Sequence, residues 1–139
     1  MRWLRFPPFF LRRPSHVELA RQFIGAINAH DMQLAQTMLT PDFVHRDTMN
    51  YPIEPRDAFV SVMERFFEAV PDVRWEIDML NRFGESVLAK GRILSANPDE
   101  CVEGLWQIDF DGDLICAVHS FRASNANPLR RMLDTPPVT

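Results

Sequence analysis

The chain has 139 residues, 46% of them hydrophobic, which fits one domain built on one real core. Its net charge of −4 argues against a general nucleic-acid binder, which would be strongly basic. No window reaches the ~20 consecutive apolar residues of a membrane span.

The charge is uneven along the chain. Residues 1–14 carry Arg2, Arg5, Arg12 and Arg13 and no acid, so the rest stands at −8 against the overall −4. Arg5, Pro7 and Pro8 break the apolar run that a secretory signal needs. Two readings of this basic, aromatic arm stay open. It packs Trp3, Phe6, Phe9 and Phe10 against its own domain or a dimer partner, or it rests on a membrane surface. Prolines disfavour the helix that the second mode uses. The expectation is no membrane association.

Ser15-His16-Val17-Glu18 is a capping box, so a helix starts there. Ala20, Phe23, Ile24 and Ile27 follow as one apolar stripe, and Asn28-Ala29-His30 ends it. Asp31 caps a short second helix that turns Leu34, Ala35, Met38 and Leu39 inward. Thr40-Pro41-Asp42 stops it. A short strand from Phe43 to Asp47 comes next, placing Phe43, His45 and Asp47 on one face and Val44 and Arg46 on the other. Residues 48–54 are a loop holding the only tyrosine, Tyr51. Pro55 suits the first turn of a third helix, with Phe59, Val62, Met63, Phe66 and Phe67 on its apolar face.

The remainder alternates like strands. Val73, Trp75, Ile77 and Met79 face in; Val87, Ala89, Gly91 and Ile93 do the same in the next strand, leaving Lys90 and Arg92 outside. Turns fall at Phe83-Gly84-Glu85 and Asn97-Pro98-Asp99. Strands of about 102–110 and 114–122 flank an Asp111-Gly112 turn. A two-residue turn there pairs position 110 with 113, so even positions on the first arm share a face with odd positions on the second. The more apolar face is then Gly104, Trp106, Ile108, Phe110, Ile115, Ala117, His119 and Phe121, with His119 its one polar side chain. The other face, half apolar, suits a homodimer contact through the sheet exterior. In this register Cys101 and Cys116 lie several rungs apart, too far for a disulfide. Buried free thiols and a cytoplasmic setting are expected.

The order is helix, helix, short strand, helix, then a meander of strands: an α+β fold. Domain 15–122 is expected between the arm, 1–14, and a proline-containing tail, 123–139. This order, with Ala26-Ile27-Asn28-Ala29-His30-Asp31, Pro41-Asp42-Phe43-Val44, Ala69-Val70-Pro71-Asp72-Val73-Arg74-Trp75 and Asp111-Gly112-Asp113-Leu114-Ile115, resembles the nuclear transport factor 2-like superfamily, and within it the SnoaL-like branch. The resemblance spans about residues 16–122. It implies a cone-shaped barrel: a strongly curved mixed, mainly antiparallel sheet wrapped around three N-terminal helices, with a pocket at the wide end. Isomerases, cyclases, dehydratases, epoxide hydrolases and non-catalytic binding modules all use it. In the ketosteroid isomerase branch a catalytic aspartate ends the first strand, five residues after an acid that opens it. Asp42 and Asp47 have that spacing, so Asp47 looks like the counterpart. Thr48 replaces the usual following proline, and no acid stands at 104–106, where that branch has its oxyanion partner.

The expected site is therefore Asp47, His45 and His119 as acid/base groups, with Trp75, Trp106 and Tyr51 against a small hydrophobic organic ligand. A desolvated Asp47 would have a raised pKa and accept a proton, and a histidine would orient it or return the proton. Each has a plainer alternative. His45 can be a structural imidazole, Asp47 a cap for loop 48–54, His119 a satisfied core histidine, and the tryptophans simple core. No phosphate loop, dinucleotide fingerprint or metal-ligand spacing appears, so no cofactor is expected. A cofactor-free lyase, isomerase or hydrolase, a non-catalytic small-molecule binder, and a protein-interaction module all remain.

Overall fold

Ser15 caps the first helix through its hydroxyl, which accepts from the Glu18 backbone N–H at 3.1 Å. In the computed structural model, which describes residues 13–122, this helix is α1, His16–Asn28. It buries Leu19, Ala20, Phe23, Ala26 and Ile27. The arm and the tail fall outside the described residues, except for Arg13, paired with Asp113 on the surface, and Pro14. None of the described helices is long and apolar enough to cross a membrane.

The end of α1 is a clasp. Asn28 accepts from the Trp75 backbone N–H at 2.7 Å and donates to the Trp75 carbonyl at 2.9 Å, as a neighbouring strand would. His30, in the left-handed region at φ 56°, donates from Nε2 to the Val73 carbonyl and stacks on Phe67. The phrase Asn28-Ala29-His30 thus pins the helix to the start of the first long strand.

Asp31 caps α2, Met32–Gln36, by accepting from the Leu34 N–H at 3.0 Å. Leu34, expected inside, is exposed. A five-residue helix can bury one side, and Met32 and Ala35, three apart, occupy it. Strand β1, Leu39–Arg46, begins four residues earlier than expected. It runs through Pro41, and its pairing shifts between Leu39 and Val44, the kind of irregularity that accommodates a proline. Inside the expected loop 48–54, Pro52–Ile53 form a two-residue strand, β2, antiparallel to β1. Helix α3, Arg56–Ala69, buries Phe59, Val62, Met63, Phe66 and Phe67, the face read from the sequence.

The long strands are β3 (Arg74–Phe83), β4 (Ser86–Leu94), β5 (Val102–Asp111) and β6 (Leu114–Arg122). A single 3₁₀ turn, Pro98–Glu100, precedes β5. The sheet order is β2-β1-β6-β5-β4-β3, with β1 parallel to β6 and every other pair antiparallel. The α+β cone is present. Its mixed, mainly antiparallel sheet is not closed, with β2 and β3 as edges. Helices α1 and α3 fill the concave face, and one apolar core joins them to Phe43, Val87, Ala89, Ile93, Trp106, Ile108 and Ile115.

Two bulges bend this sheet, and each reverses the in–out alternation beyond it. In β3 the pairing jumps between Ile77 and Met79. Met79, expected inside, is 48% exposed, and Leu80 turns in. Opposite Ile77 stands Gly91, where an added Cβ would lie 2.0 Å from the Glu76 carbonyl oxygen. Only glycine allows this close approach of the strands. On the convex side Arg92 pairs with Glu76 at 2.6 Å and also with Asp78.

The second bulge is at Cys116. The hairpin turns at Gly112-Asp113 (Gly112 φ +63°), one residue later than expected, so Asp111 pairs with Leu114 and Phe110 with Ile115. That displacement alone keeps the expected parity. The next pair is Asp109 with Ala117, so Cys116 is an extra residue and the parity flips. Val118, Ser120 and Arg122 therefore face inward, opposite Ile108, Trp106 and Gly104. Ala117, His119 and Phe121 face outward, opposite Asp109, Gln107 and Leu105. Both cysteines are free, as expected, but neither is fully buried: Cys101 is exposed and Cys116 half-buried.

Candidate functional site

Phe43, His45 and Asp47 share the buried face of β1, and β6 runs beside them in parallel. This juxtaposition builds the site. His45 is 4% exposed. Its Nε2 is 3.1 Å from Ser120 Oγ, and its ring stacks on Phe59 of α3 at 5.6 Å. Its Nδ1 is buried and has no hydrogen-bond partner among the described residues. Burial pulls its pKa down to about 3; the positive charge of Arg122 adds to the fall and Asp47 opposes it. His45 is therefore a neutral imidazole at physiological pH.

Asp47 is buried on the same face, but its carboxylate serves its own turn. Oδ1 accepts from the backbone N–H of Met49 at 2.8 Å and of Tyr51 at 2.9 Å. The Asp47 carbonyl accepts from Asn50 N–H at 2.8 Å, and the turn passes through Asn50 at φ 65°. This is the geometry of an Asx turn. Thr48, which follows, ties the turn to β6: its Oγ1 donates to the Ser120 carbonyl at 3.3 Å and accepts from the Arg122 N–H at 2.9 Å.

Between α1, α3 and the concave face lies a cavity of about 60 Å³. Its walls are apolar: Phe23 and Ile27 of α1, Phe59 and Met63 of α3, and Trp75, Trp106 and Ile108 of the sheet, among others. Among the described residues, His45 and Arg122 are the two polar side chains lining it. Burial lowers the Arg122 pKa to about 10, with Asp47 acting the other way, so the guanidinium keeps its charge at neutral pH. A water needs roughly 10–15 Å³ of such volume, and drug-sized ligands occupy pockets of about 300–1,000 Å³. This cavity accordingly suits a few waters or a small organic fragment. A wider depression of about 300 Å³ lies between α1 and β3, lined by Arg21, Asp78 and Met79 among others, and it holds none of the His45 cluster.

Of the six expected site residues, His45, Trp75 and Trp106 line the cavity. The tryptophans are core and wall at once; Trp75 also meets Phe66 and Phe67 edge-on. Asp47 is adjacent to the cavity but does not line it. His119 was expected to face the cone. It lies on the outer face, stacked on Phe121 at 4.2 Å, because the Cys116 bulge reverses β6. Tyr51 is 44% exposed at the turn and does not line the cavity. The residues missed from the sequence, Ser120 and Arg122, were assigned outward or left unassigned for the same reason. Only a signal for the bulge could have found them, and Cys116 carries none.

Ser120, His45 and Asp47 have the composition of a nucleophilic triad but not its geometry. Ser120 is 0% exposed and does not line the cavity, and the second ring nitrogen of His45 is not engaged by a carboxylate. Among the described residues no three His, Cys, Asp or Glu side chains gather as a metal site.

The SnoaL-like domain model matches residues 20–126, more than half of the chain. Among solved structures, an uncharacterised cystatin-fold protein from Novosphingobium aromaticivorans is similar with a TM-score of 0.74 and 22% identity, over 79% of this chain and 100% of that one. A candidate SnoaL-like polyketide cyclase from Shewanella denitrificans has a TM-score of 0.72 and 19% identity, over 89% of this chain and 100% of that one. An NTF2-like protein of unknown function from Cytophaga hutchinsonii has a TM-score of 0.69 and 16% identity, over 89% and 98%. Identities this low establish the fold alone. No curated protein matches the chain.

Proposed function

The chain belongs to the SnoaL-like domain family, and from that premise we propose that it binds a small, mainly apolar organic molecule in the cavity beneath the sheet, with His45 as a polar contact. The observation that carries this reading is the unengaged, buried Nδ1 of His45 beside an otherwise apolar cavity. A buried ring nitrogen without a partner is costly, and a ligand hydrogen bond would offset that cost.

Binding without proton transfer is favoured over acid/base catalysis. A histidine whose conjugate acid has a pKa of about 3 is a poor proton acceptor at neutral pH, about four units from the optimum for a general base. The Asp47 carboxylate is occupied by two backbone N–H groups and lies off the cavity wall. A homodimer through the sheet exterior is part of the same reading, supported by Leu105, Ala117 and the exposed Phe121 on that face. Sedimentation of the full chain tests it, with a single monomeric species as the contrary result.

The pocket itself is tested by titrating small alcohols, amides and acids while following the indole N–H signals of Trp75 and Trp106. Saturable shifts are expected, weakened at least tenfold by His45→Leu and within about threefold of wild type in Asp47→Asn. Loss of binding in a folded Asp47→Asn protein, with turnover in the wild type, would return the site to acid/base chemistry.

A further inference from the structure

Resting on the reading of the cavity as a ligand site, we propose that the ligand is an unbranched chain with a polar group at each end: a hydroxyl head at His45, and a carboxamide tail that leaves the cavity between Ile24 and Ile77 and lies along the free edge of β3. The cavity runs across the sheet. Its wall takes residues from β1, β6, β5, β4 and β3 in turn, from His45 at one end to Ile77 at the other. Four strand spacings of about 4.8 Å make roughly 19 Å along the sheet, less the reach of the side chains. A volume of about 60 Å³ spread over that width is a narrow passage rather than a round chamber. At its β3 end it meets the depression of about 300 Å³ between α1 and β3: Ile24 and Ile77, both half-buried, line the two spaces alike. The outer space brings the site into the ~300–1,000 Å³ range of small-molecule pockets.

The free edge of β3 already holds a carboxamide. As the last strand of the sheet, β3 has one side without a neighbouring strand, and backbone groups on such an edge pair with a complementary donor and acceptor. Asn28 supplies them at Trp75: its side-chain oxygen accepts from the N–H and its nitrogen donates to the carbonyl. In an antiparallel ladder alternate residues turn their N–H and C=O to the same side. The pairing with β4 is unbroken from Trp75 to Ile77, so Ile77 turns both groups to that free edge, two residues beyond Asn28 and in the wall of the depression. The bulge after Ile77 bends the strand there, as bulges beside active sites do. A carboxamide tail would repeat the Asn28 pairing at Ile77. The rim carries both signs, Arg21 and Asp78, and so favours neither an anionic nor a cationic tail over a neutral one. At the other end a hydroxyl suits His45, because it donates or accepts as the Nδ1 tautomer requires.

The test compares 1-butanol, 1-hexanol and 6-hydroxyhexanamide on the full chain, by the indole shifts of Trp75 and Trp106 and the backbone N–H shift of Ile77. Affinity is expected to rise at least threefold from 1-butanol to 1-hexanol, because the chain continues between Ile24 and Ile77. 6-Hydroxyhexanamide is expected to bind at least as tightly as 1-hexanol and to move the Ile77 N–H downfield, which 1-butanol leaves in place. Arg21→Phe, at an exposed rim position, is expected to weaken 6-hydroxyhexanamide at least fivefold while leaving 1-butanol within twofold. Binding of 1-butanol with a weaker 1-hexanol, a 6-hydroxyhexanamide weaker than 1-hexanol, or an Ile77 N–H that it does not move overturns the two-ended ligand while leaving the pocket reading intact. Absence of binding by all three probes overturns the pocket reading and this proposal with it.

Discussion

Acidification should destabilise this protein through His45 before its carboxylates matter. In the unfolded chain a histidine takes up its proton near pH 6.5, while in the fold His45 stays neutral down to about pH 3. Between these values the unfolded state holds one more proton than the native state. The stability associated with the neutral imidazole is complete above pH 6.5 and falls as the pH drops toward 3. Each pH unit in that window is worth about 1.4 kcal/mol, so lowering the pH from 7 to 4.5 should remove about 3 kcal/mol, a large part of the ~5–15 kcal/mol of an ordinary domain. Urea unfolding of the wild type and His45→Gln at a series of pH values isolates this contribution. Glutamine does not titrate and can still reach Ser120 Oγ. Asp72 and Asp78 are held below the usual carboxylate range, by the Ala96 backbone N–H and by Arg92 respectively, and also lose their native advantage in acid. They do so in both proteins and cancel in the difference. The stability gap between wild type and His45→Gln should close by about 3 kcal/mol from pH 7 to 4.5. Parallel pH profiles would refute the neutral, buried imidazole.

Three further outcomes follow from the same contacts. Asp47→Ala removes the acceptor for two backbone N–H groups and should cost about 3 kcal/mol in urea unfolding, while Asp47→Asn, which keeps an oxygen there, should cost less than half of that. Ser120→Ala leaves His45 Nε2 without its partner and should cost about 2 kcal/mol; a neutral effect would mean that the contact carries nothing. Gly91→Ala drives a Cβ to 2.0 Å from the Glu76 carbonyl, so at least ~3 kcal/mol or failure to fold is expected, and wild-type melting would contradict the close approach.

How far the sequence could be read depended on whether a residue's orientation follows from a period. The stripes of α1 and α3 were legible because 3.6-residue spacing fixes which side chains share a face, and Phe59 through Phe67 lie where it puts them. The shared face of Phe43, His45 and Asp47 was legible for the same reason, with a period of two. Beyond a bulge the period still holds but its phase is reversed. Met79 and His119 were thus read onto the wrong side, while Leu80, Ser120 and Arg122 took the inner positions. Neither bulge has a sequence mark, since Asp78 and Cys116 are ordinary strand residues by composition. Gly91 marks the first indirectly: a glycine within an alternating strand points to a close approach, though not to which neighbour it meets. The Asp47 turn was open from the start between base and cap, because a carboxylate before a Thr-Met-Asn loop suits both roles. Backbone hydrogen bonds to Met49 and Tyr51 identify the cap.

Nuclear Overhauser contacts from bound 1-butanol to assigned protein side chains test the pocket and its polar contact together. Contacts from its carbon chain to Trp106 and Phe59, with the hydroxyl end at His45 and none at Tyr51 or His119, are the expected result. Contacts confined to the outer face around His119 and Phe121, or a bound ligand whose polar end meets Asp47 instead of His45, would contradict it.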